Sequence, residues 1–170
     1  MIMKDNKDGA RVFDLRYNPF NDNHAAPFHK NVGGYHPAKL SRYQDVISYC
    51  ITPNGGQLYG DFITKNNALD MLNCKYVLSR DQKSGAEEAF PRMNPNGHSW
   101  FVSSISNAES AKKALELVNS VDIKNVAVIE SKEVNKPTAN SFIKDTTCVI
   151  KQTAYSTDTI KYQSNNSNAG

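Results

Sequence analysis

Three of the four histidines, His24, His29 and His36, crowd into the stretch HAAPFHKNVGGYHPAKLSRYQ, around the pair Gly33-Gly34. Imidazole titrates near neutrality, so His29 or His36 could serve as a general base. The other use of such rings is to hydrogen-bond the backbone of an irregular loop. The spacing 24, 29, 36 matches no metal-binding helix pattern such as H-E-x-x-H, and Cys50, Cys74 and Cys148 are far apart with no CxxC. No metal set and no cofactor is assigned. Gly33-Gly34 precedes an expected helix start, where backbone N–H groups can hold an anion. The full G-x-G-x-x-G and G-x-x-x-x-G-K-[ST] patterns are absent, and a tight turn uses the same residues. There is no G-x-S-x-G elbow. Asp14, Asp45 and Asp61 are carboxylates that nothing in the sequence pairs. Tyr35 and Trp100 have rings that suit a sugar face or a core. No residue is assigned a catalytic role.

The elements that must position these groups follow from periodicity. Residues 1–10 read as a polar tail, 11–164 as a single domain and 165–170 as a second tail. Residues 11–15 read as a short strand, ended by turn residues 18–23. Pro37 suits the first turn of a helix. Leu40, Tyr43, Val46, Ile47, Cys50 and Ile51 recur at helical spacing, predicting a helix over 37–51 with one buried face, stopped by residues 52–56. Thr64 is the expected cap of a shorter helix through Leu72, and residues 74–79 read as a strand. Residues 80–99, broken by Gly85, Pro91, Pro95 and Gly97, read as a long loop with a helical turn at 86–90.

Residues 100–105 predict a strand, and Ser106 with Glu109 has the form of a capping box for a helix to Val121. Ala111, Leu115, Val118 and Val121 carry its period, and 125–130 reads as a buried strand. Strand, helix and strand make a βαβ unit, whose strands lie parallel. After a polar loop at 131–146, residues 147–155 and 159–164 predict a hairpin. The fold class expected is α/β (α+β): a mixed sheet with a βαβ unit, helices packed on it, and a C-terminal hairpin.

The chain has 170 residues, 39% of them hydrophobic, a mean hydropathy of -0.59 and a net charge of +3. Lys and Arg are scattered, without the basic run or face that nucleic-acid binding needs. No apolar run approaches the ~20 residues that span a bilayer, and the first residues lack the apolar core of a signal peptide. An odd number of cysteines argues against a disulfide framework. Cys50 and Cys74, set among apolar neighbours, read as buried small hydrophobes.

Asn31-Val32-Gly33-Gly34-Tyr35-His36-Pro37-Ala38-Lys39-Leu40 followed by Arg42-Tyr43-Gln44-Asp45 resembles the GGYHPAK-x-x-RYQD signature of YfhO-like bacterial membrane proteins. Leu69-Asp70-Met71-Leu72-Asn73-Cys74-Lys75-Tyr76-Val77 resembles the LDMLNVKYII segment of that family, with Cys74 for the usual valine. Asn94-Pro95-Asn96-Gly97-His98-Ser99-Trp100-Phe101-Val102 resembles its N-x-x-x-G-x-x-WFV segment, with one residue fewer between asparagine and glycine. Order agrees, and spacing to within that residue, from about Arg11 to Glu130. Residues 131–146 match no part of it.

The resemblance implies a soluble extracytoplasmic segment of a large polytopic membrane protein, similar to GT-C glycosyltransferases that use lipid-linked sugars. The partners it implies are the membrane helices of the same parent chain and a polyprenyl-phosphate sugar or cell-envelope glycopolymer, with no nucleic acid. The candidate ligand-binding set is His29, Gly33, Gly34, Tyr35, His36, Arg42 and Tyr43. The resemblance carries over no catalytic residue, because the catalytic carboxylate of that class sits in a loop between membrane helices. An accessory, substrate-shaping role is expected. The alternative is a structural or protein-interaction module of the envelope.

Overall fold

The computed structural model describes residues 9–53, 63, 65–132, 139–143, 145–156 and 158–167. The fold is mixed α+β, with three α-helices and seven strands among these residues. The chain separates into two compact units, Met1–Gly97 and His98–Gly170.

In the first unit β1 (Arg11–Asp14), β2 (Cys74–Arg80) and β3 (Glu87–Pro91) form one sheet in the order β1-β2-β3. β1 runs parallel to β2, and β3 antiparallel, with Phe13 opposite Val77 and Leu78 opposite Ala89. Val12, Phe13 and Asp14 are all buried, so β1 is covered on both faces. The histidine-bearing loop supplies part of that cover. Val12 N donates to Lys30 O and Val32 N donates to Val12 O, so the loop pairs with the outer edge of β1. Val12, Ala25 and Leu78 then pack together, with Tyr76 half-buried against them.

The helix after the loop begins at Ser41 and not at Pro37. Pro37 and Ala38 lie in a turn, because the Ala38 N–H is taken by His36 Nδ1 at 3.1 Å. A proline φ suits such a turn as well as a helix start. Leu40 precedes the helix in extended conformation and is 76% exposed, so it does not belong to the buried face. α1 (Ser41–Val46) runs into one π-helical turn, Ile47–Ile51, in which Ile47, Cys50 and Ile51 are buried. Thr52 closes that turn, its N–H and hydroxyl both donating to Ile47 O.

α2 (Asn67–Met71) is capped by Asn66, whose side chain accepts from Leu69 N at 2.9 Å. Thr64, the expected cap, lies outside the described residues. Asn73, at φ 54, ends the helix in the left-handed conformation that asparagine tolerates and passes the chain to β2. Beneath α2, Arg92 Nη2 donates to Asp70 Oδ1 at 2.6 Å and to Asn66 O at 3.0 Å, with Arg92 6% and Asp70 8% exposed. Cys50 and Cys74 are buried and in no disulfide, and burial pushes the Cys74 thiol up to about 12.

Residues 80–99 are not a single loop with a helical turn. Glu87–Pro91 is an edge strand joined to β2 by a turn on Asp81, whose Oδ1 accepts from the N–H groups of Lys83 and Ser84. An exposed edge strand has no side to bury, so it shows no apolar alternation. Pro91 at its end is tolerated because edge positions need fewer ladder donors.

The second unit holds the βαβ element. β4 (Ser104–Ala108) pairs in parallel with β5 (Val126–Glu130), and α3 (Ala111–Ser120) connects them. β4 begins at Ser104, four residues later than the expected Trp100, and runs on to Ala108, which leaves Ser106 inside the strand. The cap is therefore Ser110, whose hydroxyl accepts from Lys113 N. Ala114, Leu115, Leu117 and Val118 are half-buried and Ala111 is exposed, while β5 is half-buried throughout rather than fully covered. Trp100 donates from Nε1 to Ile123 O at 2.9 Å. β6 (Val149–Tyr155) and β7 (Ile160–Asn165) form the antiparallel hairpin, with an irregularity in register between Gln152 and Ala154.

Candidate functional site

Beside the loop, in the first unit, lies a cavity of 360 Å³ lined by Arg16, Tyr17, His24, Phe28, His29, Leu78, Glu87, Glu88 and Ala89. Leu78 and Ala89 are cross-strand partners and give it an apolar floor. The loop supplies Phe28 and His29, and the segment after β1 supplies Arg16 and Tyr17. Successive side chains on a strand alternate between faces, so Glu87 and Ala89 face one way and the Glu88 carboxylate the other.

An ion-pair network stiffens the wall. Arg16 donates from Nε to Asp14 Oδ1 at 2.9 Å and from Nη2 to Asp14 Oδ2 at 2.8 Å. This is the two-point guanidinium–carboxylate arrangement that fixes direction as well as distance. Its remaining nitrogen, Nη1, donates to Glu87 Oε2 at 2.6 Å, and Arg80 Nη2 donates to Glu87 Oε1 at 2.8 Å. Tyr17 and His24 stack with ring centroids 4.2 Å apart and planes 18° from parallel. The Arg80 guanidinium lies 5.6 Å from the Tyr17 centroid. His24 in turn sits on Asp22, Nδ1 to Oδ1 3.0 Å.

Burial pushes Asp14 up, but hydrogen bonds from the side chain and backbone of Arg16, with its charge, outweigh this and hold the carboxyl below the usual 3.8. Burial, helped by the Arg16 charge, lowers His29 from 6.5, so the ring is neutral at pH 7. A depressed carboxyl stabilises the fold above its unfolded pKa, and that contribution disappears as pH falls through the folded value. Acid titration of stability should therefore show a limb below about pH 4. Asp14→Asn should flatten that limb, and an unchanged acid limb by circular dichroism would rule Asp14 out as its source.

Of the candidate ligand-binding set, only His29 lines the cavity. Gly33 and Gly34 shape the loop: Gly34 N donates to Pro19 O at 2.7 Å, and Gly34 has φ +118. Tyr35 is held by its backbone, its N–H donating to Asn23 Oδ1 and its carbonyl accepting from Asn23 Nδ2, with the ring exposed. His36 accepts from Ala38 N and is exposed. Arg42 is on the exposed side of α1. Tyr43 donates its hydroxyl to Val32 O, tying α1 to the loop, and burial raises its pKa.

The cavity residues that sequence reasoning missed are Arg16, Tyr17, Phe28, Leu78, Glu87, Glu88 and Ala89. The local signal available was Asp14-x-Arg16, a carboxylate two residues before a guanidinium. Their convergence with Glu87 is a tertiary event.

Comparison of the chain with family models, curated proteins and solved structures found no match. Among the described residues no three His, Cys, Asp or Glu side chains are grouped to hold a metal ion, and no helix is long and apolar enough to cross a membrane. Among the described residues the lining offers rings, a neutral imidazole that can donate and accept, and the Glu87 carboxylate held in place by two arginines.

Proposed function

We propose that this chain is an accessory, substrate-shaping extracytoplasmic segment of a polytopic membrane protein resembling the lipid-linked-sugar-dependent glycosyltransferases of the cell envelope. On its own it binds and orients, and the parent's membrane helices carry out the transfer. One observation carries the reading: the segment that leads into the GGYHPAK residues gives His24, Phe28 and His29 to a ring-lined cavity. The three ordered sequence signatures supply the enzyme class, and the cavity supplies something for the segment to hold.

Co-sedimentation of the purified chain with isolated envelope glycopolymer tests this. Retention on the polymer, competed by excess soluble polymer, is the expected result. Folded protein left wholly in the supernatant would overturn the reading. A second reading, a structural or protein-interaction module, draws on the β6–β7 hairpin. Its face carrying Tyr155, Ile160 and Tyr162 is 56%, 44% and 39% exposed at those residues. Recovery of an envelope protein on the chain, with no polymer retained, would favour it.

A further inference from the structure

We infer that the cavity takes one uncharged pyranose unit of the acceptor glycan, and not the phosphate end of a lipid-linked donor. This rests on the accessory reading above and narrows it to one side of the reaction.

The charges decide against phosphate. Arg16 is the cation in the lining, and all three of its guanidinium nitrogens already donate to carboxylates, two bonds to Asp14 and one to Glu87. Arg80, the neighbouring cation, donates to Glu87. His29 is kept neutral by burial and by Arg16. Two guanidinium groups thus face two carboxylates across bonds of 2.6–2.9 Å, so their charge is already balanced, and a phosphate at their remaining N–H groups would stand against the Asp14 and Glu87 carboxylates. A site built for phosphate presents its guanidinium charge unbalanced.

The rings favour a sugar. The face of an aromatic ring is the negative part of its quadrupole, and the C–H groups on one face of a pyranose are its complement. Phe28, 68% exposed, offers its ring to the cavity, while Tyr17 is held in the wall by its stack on His24 and by the Arg80 guanidinium over its ring. Hydroxyl groups need both donors and acceptors. Neutral His29 supplies one of each, and the Glu87 carboxylate keeps lone pairs beyond its two arginine bonds. Leu78 and Ala89 complete an apolar floor. A volume of 360 Å³ lies at the small end of ligand sites, which suits one ring and not a chain of them.

The experiment is an NMR titration of the full 170-residue chain with methyl β-glucopyranoside, methyl β-N-acetylglucosaminide, glucose 1-phosphate and inorganic phosphate. At least one neutral glycoside should shift the amides of Tyr17, Phe28, His29, Leu78 and Ala89, with a Kd on the order of 1 mM. Phe28→Ala should weaken that binding about 5- to 10-fold while Phe28→Tyr keeps it, since an aromatic contact is worth roughly a factor of that size. The exposure of Phe28 leaves the fold undisturbed by either change. Tighter binding of glucose 1-phosphate or phosphate at these amides would overturn the inference, as would silence from every ligand. Polymer retention separates the two failures. Retention by the wild-type chain with a cavity that ignores sugars sinks this inference alone. A sugar-binding cavity on a chain that ignores the polymer sinks the accessory reading.

Discussion

Gly33→Ala should destabilise the first unit by about 3–4 kcal/mol, the sum of a severe overpacking cost and a lost backbone hydrogen bond. A Cβ at this position would lie 1.8 Å from Pro19 O and 2.8 Å from Pro19 C. Both are main-chain atoms, so no side chain can rotate away, and the segment around Pro19 must move as a whole. That movement also breaks the Gly34 N to Pro19 O bond of 2.7 Å. Such a loss is a large share of the ~5–15 kcal/mol that holds an ordinary domain together. Urea denaturation of the variant is the measurement. A change under about 1 kcal/mol would mean that the approach of residues 19 and 33 relaxes freely. The same variant should also lose sugar binding at the cavity, because Pro19 lies on the segment that leads from Tyr17 to His24.

Asp70→Ala should cost about 3–5 kcal/mol, the penalty for leaving one partner of a buried ion pair alone. The geometry places this pair at the upper part of that range. Arg92 has a side chain 2% exposed, and its Nε and Nη1 are buried with no hydrogen-bond partner among the described residues. With the carboxylate gone, the guanidinium retains Asn66 O as its remaining acceptor. The double variant Asp70→Ala, Arg92→Met should recover most of the loss, because a desolvated charge is replaced by apolar volume. A double-mutant cycle by denaturant titration checks this. If the two single losses simply add in the double variant, the pair is not coupled and the polar cluster under α2 has another source of stability.

How much of this was readable beforehand depends on whether neighbours in sequence or neighbours in space do the work. β2, the βαβ element and the hairpin each carry their own hydrophobic period, and each was found within a few residues. β3 has none, because Glu87–Pro91 is exposed along its length and gains its order from β2. The start of α1 was misplaced because Pro37 satisfies the rule for a helix start and for a turn alike, and the His36 ring settles the choice. The cap on α3 was misplaced because serine occurs at both 106 and 110, and the pairing of Ala108 with Glu130 keeps the first inside the strand. The site was readable only at His29. Asp14 was named without a partner, although Arg16 lies two residues on. Glu87, 71 positions from Arg16, joins them through a sheet that sequence alone did not reveal.

The loop is held by main-chain bonds: Val12 N to Lys30 O, Val32 N to Val12 O, His29 N to Ala25 O and Gly34 N to Pro19 O. Its architecture therefore makes little demand on which side chains it displays at 24, 28 and 29. Specificity and stability are thereby separated onto different atoms. The loop can be re-lettered at those three positions, by mutation over evolutionary time or by design, to change what the cavity accepts while the scaffold stays as it is. Residues 19, 33 and 34 lack that freedom. In this segment Gly33, Gly34 and the turn-setting His36 are the constrained letters, and positions 24, 28 and 29 the variable ones.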